Sequence, residues 1–103
     1  MVAASVLCPI FRPGGLDCTF AGLRGQTVKD FELILIDYRY EKRHAQVMDL
    51  ASASGIQTIH VPEHRRNGPW AVVAAAWNTG FMLAQGRIIL MMPDYAYVAP
   101  DWI

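Results

Sequence analysis

A chain of 103 residues has room for one domain and no more. Its content of 53% hydrophobic and 17% charged residues excludes a disordered chain, and predicts apolar surface that a partner or a further segment must cover. The formal net charge of zero lacks the basic excess that phosphate-backbone binding uses, so no nucleic acid partner is expected.

In chain order, "ASVLCPI" at 4–10 reads as a first strand, ended by "RPGG". "GLDCTFAGLRGQ" at 15–26 reads as a helix with Leu16, Phe20 and Leu23 on one side. "FELILID" at 31–37 is a second strand. The stretch 41–55 reads as a helix, with Val47, Leu50 and Ala51 inward and Gly55 as its stop. "IQTIHVP" at 56–62 is a third strand and "EHRRNG" a loop. Residues 69–86 open with Pro and close with Gly, as helices do, and "RIILMM" at 87–92 is a fourth strand.

The βαβαβαβ order predicts an α/β fold: a Rossmann-like, mostly parallel four-stranded sheet with helices on both faces. Strands one, two and four are nearly continuous apolar runs, as expected when both sheet faces are covered. Ligands of such sheets bind beyond the carboxyl ends of the strands. The segments there contain Arg12, Asp37, Arg39, Glu63, Arg65, Arg66, Asn67 and Asp94.

Cys8 and Cys18 make no disulfide framework; Cys8 reads as a small core residue, and a reduced, cytoplasmic setting is expected. The first apolar run has no basic segment before it, which argues against a signal peptide. Asn78, Gly80, Gln85, Gly86 and Arg87 interrupt the longest apolar stretch, so no transmembrane segment is predicted.

Asp37 can accept a hydrogen bond from a base N–H or a ribose hydroxyl, or it can cap the next helix as a turn Asp. Asp94 can hold a divalent ion, Mg or Mn, between nucleotide phosphates, or it too is a turn residue. Phe11 can stack on a base or serve the core. "PIFRPGG" matches neither phosphate-loop nor dinucleotide fingerprint. His60 and His64 flank Pro62 and share no helical face, which argues against zinc. "EKRH" around His44 reads as a solvated helix face, and "HRR" at 64–66 as a solvated loop or a diphosphate contact.

The chain resembles the amino-terminal half of family 2 glycosyltransferases, which have the GT-A fold. The resemblance rests on "SVLCPIFRPGG", on "LRGQTVKDFELILIDYR" with its Gln26-Thr27 and Phe31-Glu32 pairs, on "AWNTG" and "AQG" before "RIILMM", and on "PDY" and "APDWI". It implies a single domain over 1–103 that binds a nucleotide-diphosphate sugar, as a truncated part of a longer glycosyltransferase. It implies that Pro9, Ile10 and Phe11 border the base, with Asp37 on the base or ribose. Asp94, with Tyr95 beside it, falls where metal and diphosphate meet, and Arg12, Arg39 and Arg66 join the nucleotide site. Asn78 and Gly80 pack the third helix on the sheet.

The sequence departs from the family where Tyr38 replaces the second Asp of an Asp-Asp pair and Trp77 replaces an Arg. Pro93 and Tyr95 replace both outer positions of Asp-x-Asp. In their absence Arg12, Arg65 or Arg66 can partly replace the cation. The family's catalytic base comes from beyond this region, so no base is named, and the chain alone is expected not to catalyse transfer. The alternatives are a non-catalytic nucleotide-binding module and an association domain, with a homo-oligomer or the missing carboxyl-terminal acceptor half covering the apolar surface.

Overall fold

The computed structural model describes residues 2–63 and 70–103, apart from the side chains of 70–73. His64, Arg65, Arg66 and Asn67 lie outside the described residues. The elements run β1 (Ala4–Ile10), α1 (Leu16–Arg24), β2 (Phe31–Asp37), α2 (Tyr40–Ser54), β3 (Gln57–Pro62), α3 (Trp70–Leu83) and β4 (Ile88–Met91).

All pairings are parallel, in the order β3-β2-β1-β4. Every residue of β1 and β2 is buried, because these are the two inner strands. Their side chains alternate between two cores. Val6, Cys8, Ile10, Leu33 and Leu35 meet Leu16, Phe20 and Leu23 of α1 and Val47 of α2. Leu7, Ile34 and Ile36 meet Ala76 of α3 on the opposite face. Each such Leu or Ile, fully buried, contributes roughly 1.5–3 kcal/mol.

Gly80 lets α3 approach the sheet: a Cβ there would lie 3.0 Å from Leu7 Cδ1 and 3.2 Å from Ile36 Cδ1. Asn78, expected to share this packing, is exposed instead. The apolar run of β4 is also not the covered strand it was read as. It forms the sheet edge, and Ile88 remains 60% exposed and Met91 50%. A strand's composition does not show whether a neighbour covers it.

The helices end earlier than their patterns suggest. α1 stops at Gly25, and α3 stops at Leu83 rather than Gly86. Gln26, just past α1, is buried and ties down the last residues: Nε2 donates to Ala99 O (2.6 Å), and Oε1 accepts from Ile103 N (2.9 Å). Thr27 N adds a bond to Pro100 O at 2.8 Å. The Gln-Thr pair thus holds the segment after β4 against α1.

Candidate functional site

The chain leaves β1 toward β2 and β3, then returns through α3 to place β4 on the other side of β1. This reversal opens a crevice beyond the carboxyl ends of β1 and β4, where ligands of open α/β sheets bind. The Phe11–Gly15 turn and the Pro93–Tyr95 turn both start there.

Asp94 joins those turns. Its Oδ1 accepts from Arg12 Nη2 (2.6 Å), and its Oδ2 accepts from Arg12 Nε (3.1 Å) and the Arg12 amide (3.3 Å), with the Phe11 amide at 3.5 Å. The hydrogen bonds from Arg12 hold the Asp94 carboxyl below its ordinary pKa, against the upward push of partial burial. They also raise the Arg12 guanidinium further. The Arg12 Cζ lies 4.0 Å from the centre of the Tyr95 ring. Tyr95 adopts the left-handed φ of 64°, and its hydroxyl donates to Pro13 O. Gly15 makes room for that ring, since a Cβ there would lie 2.5 Å from Tyr95 Cδ1.

Asp37 sits at the end of β2, in register with Ile10. Its side chain is fully buried. Arg43 Nε donates to both carboxylate oxygens (2.9 and 2.7 Å), the Arg39 amide to Oδ1 (2.8 Å), and His60 Nε2 to Oδ2 (2.8 Å). Burial pushes this carboxyl pKa up, but the bonds from His60, Arg43 and Arg39 outweigh it and leave it below the ordinary value. An ionised carboxylate only accepts, so His60 Nε2 carries the hydrogen. A neutral His60 then accepts at Nδ1, and His44 donates across the 2.8 Å Nδ1–Nδ1 contact. Tyr40 covers both rings, with centroids 4.8 Å from His44 and 4.5 Å from His60.

Arg43 links Asp37 to the turn that Asp94 holds. While Nε holds Asp37, Nη1 donates to the Arg12 carbonyl at 2.9 Å. Its Nη2 is buried without a hydrogen-bond partner among the described residues. Cys8 lies beneath, its Sγ donating to Pro93 O at 3.7 Å. Burial, then the charge of Asp94, pushes its thiol up to about 12, with Asp37 adding and Arg43 opposing. It is the small core residue the sequence implied.

The structure therefore brings Phe11, Arg12, Asp37, Arg39, Asp94 and Tyr95 to one sheet edge. Phe11 is half-buried, and its ring lies 6.5 Å from that of Tyr38. Pro9 and Ile10 are buried within β1, so their side chains are enclosed beneath the site. Arg66 lies outside the described residues. Beside Asp37, a cavity of about 390 Å³ is lined by Tyr38, Arg39, Tyr40, Lys42 and Pro62, among others.

The sequence reading missed Arg43 and misplaced His44. "EKRH" is not a solvated face: Arg43 is buried and His44 is half-buried. The signal was present, because Arg43 lies four residues before the inward Val47 and so on the same helical face. His60, considered only for zinc, anchors Asp37. Among the described residues no group of three or more His, Cys, Asp or Glu is placed to hold a metal ion. The donor set around Asp94 does not fit one either, since a guanidinium bonds both carboxylate oxygens.

The chain matches no family model and no curated protein sequence. Its fold does match solved structures. A crystal structure of S. aureus TarS superposes with a TM-score of 0.76 at 15% identity, covering 96% of this chain and 18% of that one. A structure of S. aureus TarS 1-349 in complex with UDP gives 0.72 at 15% identity, covering 96% of this chain and 29% of that one. These matches establish the α/β fold, and the chain spans less than a third of the proteins it matches. Among the described residues no helix is long and apolar enough to cross a membrane.

Proposed function

We propose that the chain is the nucleotide-diphosphate-sugar-binding part of a GT-A-type glycosyltransferase acting in the cytoplasm. The observation that carries this reading is the convergence of both carboxylates on one short turn. Asp94 grips Arg12 directly, and Asp37 reaches the Arg12 carbonyl through Arg43. The motif resemblance and the UDP complex of a protein with the same fold support it. In this reading the Asp37 end takes the nucleoside beside Tyr38 and Arg39, and the Arg12–Asp94 end takes the diphosphate. Pro9, Ile10 and Phe11 shape the wall between them.

Calorimetry with UDP, GDP and their sugars tests this, with dissociation constants on the order of micromolar expected. Absence of binding at millimolar nucleotide would refute it. The transfer step needs a base beside the acceptor hydroxyl, and no residue of this chain is assigned that role.

One observation favours a second reading, as an association module. Met82 (87% exposed), Ile88, Ile89 and Met91 form apolar surface on α3 and on the edge strand β4. An open strand edge flanked by apolar side chains pairs readily. Sedimentation equilibrium showing a stable dimer, together with no nucleotide binding, would favour this reading over the first.

A further inference from the structure

We propose that the diphosphate end of this site takes its positive charge from Arg12 in place of a divalent cation, with Asp94 and Tyr95 acting as the clamp that aims the guanidinium. This rests on the nucleotide-binding reading above and specifies how that site recognises phosphate.

The hydrogen-bond geometry supports it first. A guanidinium has five N–H donors in a planar fork. Two of them, on Nε and Nη2, are used by Asp94. The remaining three lie on the outer edge, and Nη1 has no hydrogen bond among the described residues. The Arg12 side chain is 57% exposed while that of Asp94 is only 11% exposed. The carboxylate is therefore the inner member of the pair, and the fork faces solvent.

The clamp is built from several sides. Asp94 also holds the Arg12 amide, Arg43 holds the Arg12 carbonyl, and the Tyr95 ring lies against the guanidinium face. Tyr95 is itself fixed by its left-handed backbone, its bond to Pro13 and the space at Gly15. An arginine held at its backbone, one edge and one face loses little freedom when an oxyanion arrives. Its planar edge suits two phosphate oxygens.

The same contacts disfavour a metal ion. A divalent cation on Asp94 would have to displace Arg12 or sit against a like charge. Pro93 and Tyr95, on either side of Asp94, offer it no second carboxylate. The position of Tyr95 then has a purpose, because its ring supports a cation that a carboxylate would over-neutralise.

The test is calorimetry with two probes, UDP and inorganic pyrophosphate, each in EDTA and in Mn2+. UDP is expected to bind with a dissociation constant that differs by less than about twofold between the two conditions. Arg12→Ala is expected to weaken both probes about tenfold to a hundredfold, as loss of charge-assisted hydrogen bonds does. Arg12→Lys should fall between, keeping the charge without the fork. Circular dichroism of each variant confirms the fold. UDP binding that requires Mn2+ overturns the proposal and leaves the nucleotide reading standing. Pyrophosphate binding through Arg12 without any gain from the nucleoside keeps the proposal and removes the nucleotide reading. Binding of neither probe ends both.

Discussion

Two Asp–Arg pairs lie on the same sheet edge and do opposite work. At the end of β2, Asp37 and Arg43 have side chains 0% and 7% exposed, inside a network with His60 and the Arg39 amide. After β4, Asp94 and Arg12 form an equally short pair, but Arg12 faces solvent. The chemistry is shared; the surroundings assign the role. A buried pair is costly to break because the surviving charge has no water to turn to. An exposed pair adds little to stability and keeps its cation available.

The largest effect expected from this contrast is on stability. Arg43→Ala strands the Asp37 carboxylate and should destabilise the fold by about 3–5 kcal/mol, read by urea denaturation. Arg12→Ala should leave the unfolding midpoint near that of the parent chain while weakening UDP binding. If Arg12→Ala unfolds the protein and Arg43→Ala does not, the two roles have been assigned the wrong way round.

Acid tests the buried pair next. The folded-state pKa of Asp37 lies below its unfolded value, so its contribution is complete above the unfolded value, near pH 4. It is lost as pH falls through the lower folded value. Acid unfolding should therefore begin below about pH 4, and His60→Ala, which removes one of the bonds lowering that pKa, should move it upward. No upward shift in a pH titration of ellipticity would show that His60 does not support Asp37.

A smaller effect concerns proton placement. With Asp37 ionised, nitrogen NMR of the histidines at mildly alkaline pH should find the hydrogen on Nε2 of His60 and on Nδ1 of His44. The reverse tautomers would break the proposed chain of donors. The least perturbing test uses thiol reagents. Cys18 is exposed and should label at once, while Cys8, its thiol pushed up to about 12, should label only on unfolding. Rapid labelling of Cys8 in the folded chain would mean that the crevice floor is open.

Much of the fold was legible because β1 and β2 are nearly continuous apolar runs, broken only by Ser5, Glu32 and the terminal Asp37, and strands covered on both faces need that composition. β4 carries the same signal without the cover, since coverage belongs to the neighbours. The inward face of α2 was legible through Val47, and extending it back one turn would have found Arg43. The Arg12–Asp94 pair was not, because its members are 82 residues apart and meet only through the reversal in strand order. The sequence named each as a candidate, and neither carried a sign of the other. The His60–Asp37 contact, spanning 23 residues, depends likewise on β2 and β3 ending side by side.

The Gln26 clasp has a consequence for the turn bearing Asp94 and Tyr95. That turn runs between two moorings: β4, whose ladder extends through Met92 N to Leu7 O, and the Gln26 side chain holding Ala99 and Ile103. A cord tied at both ends slackens when either knot is loosened. Gln26, at the far end of α1, therefore acts as a tensioner for a turn it does not touch: shortening its amide by one methylene should slacken the segment that carries Asp94 and Tyr95 while leaving the Arg12 pair chemically intact.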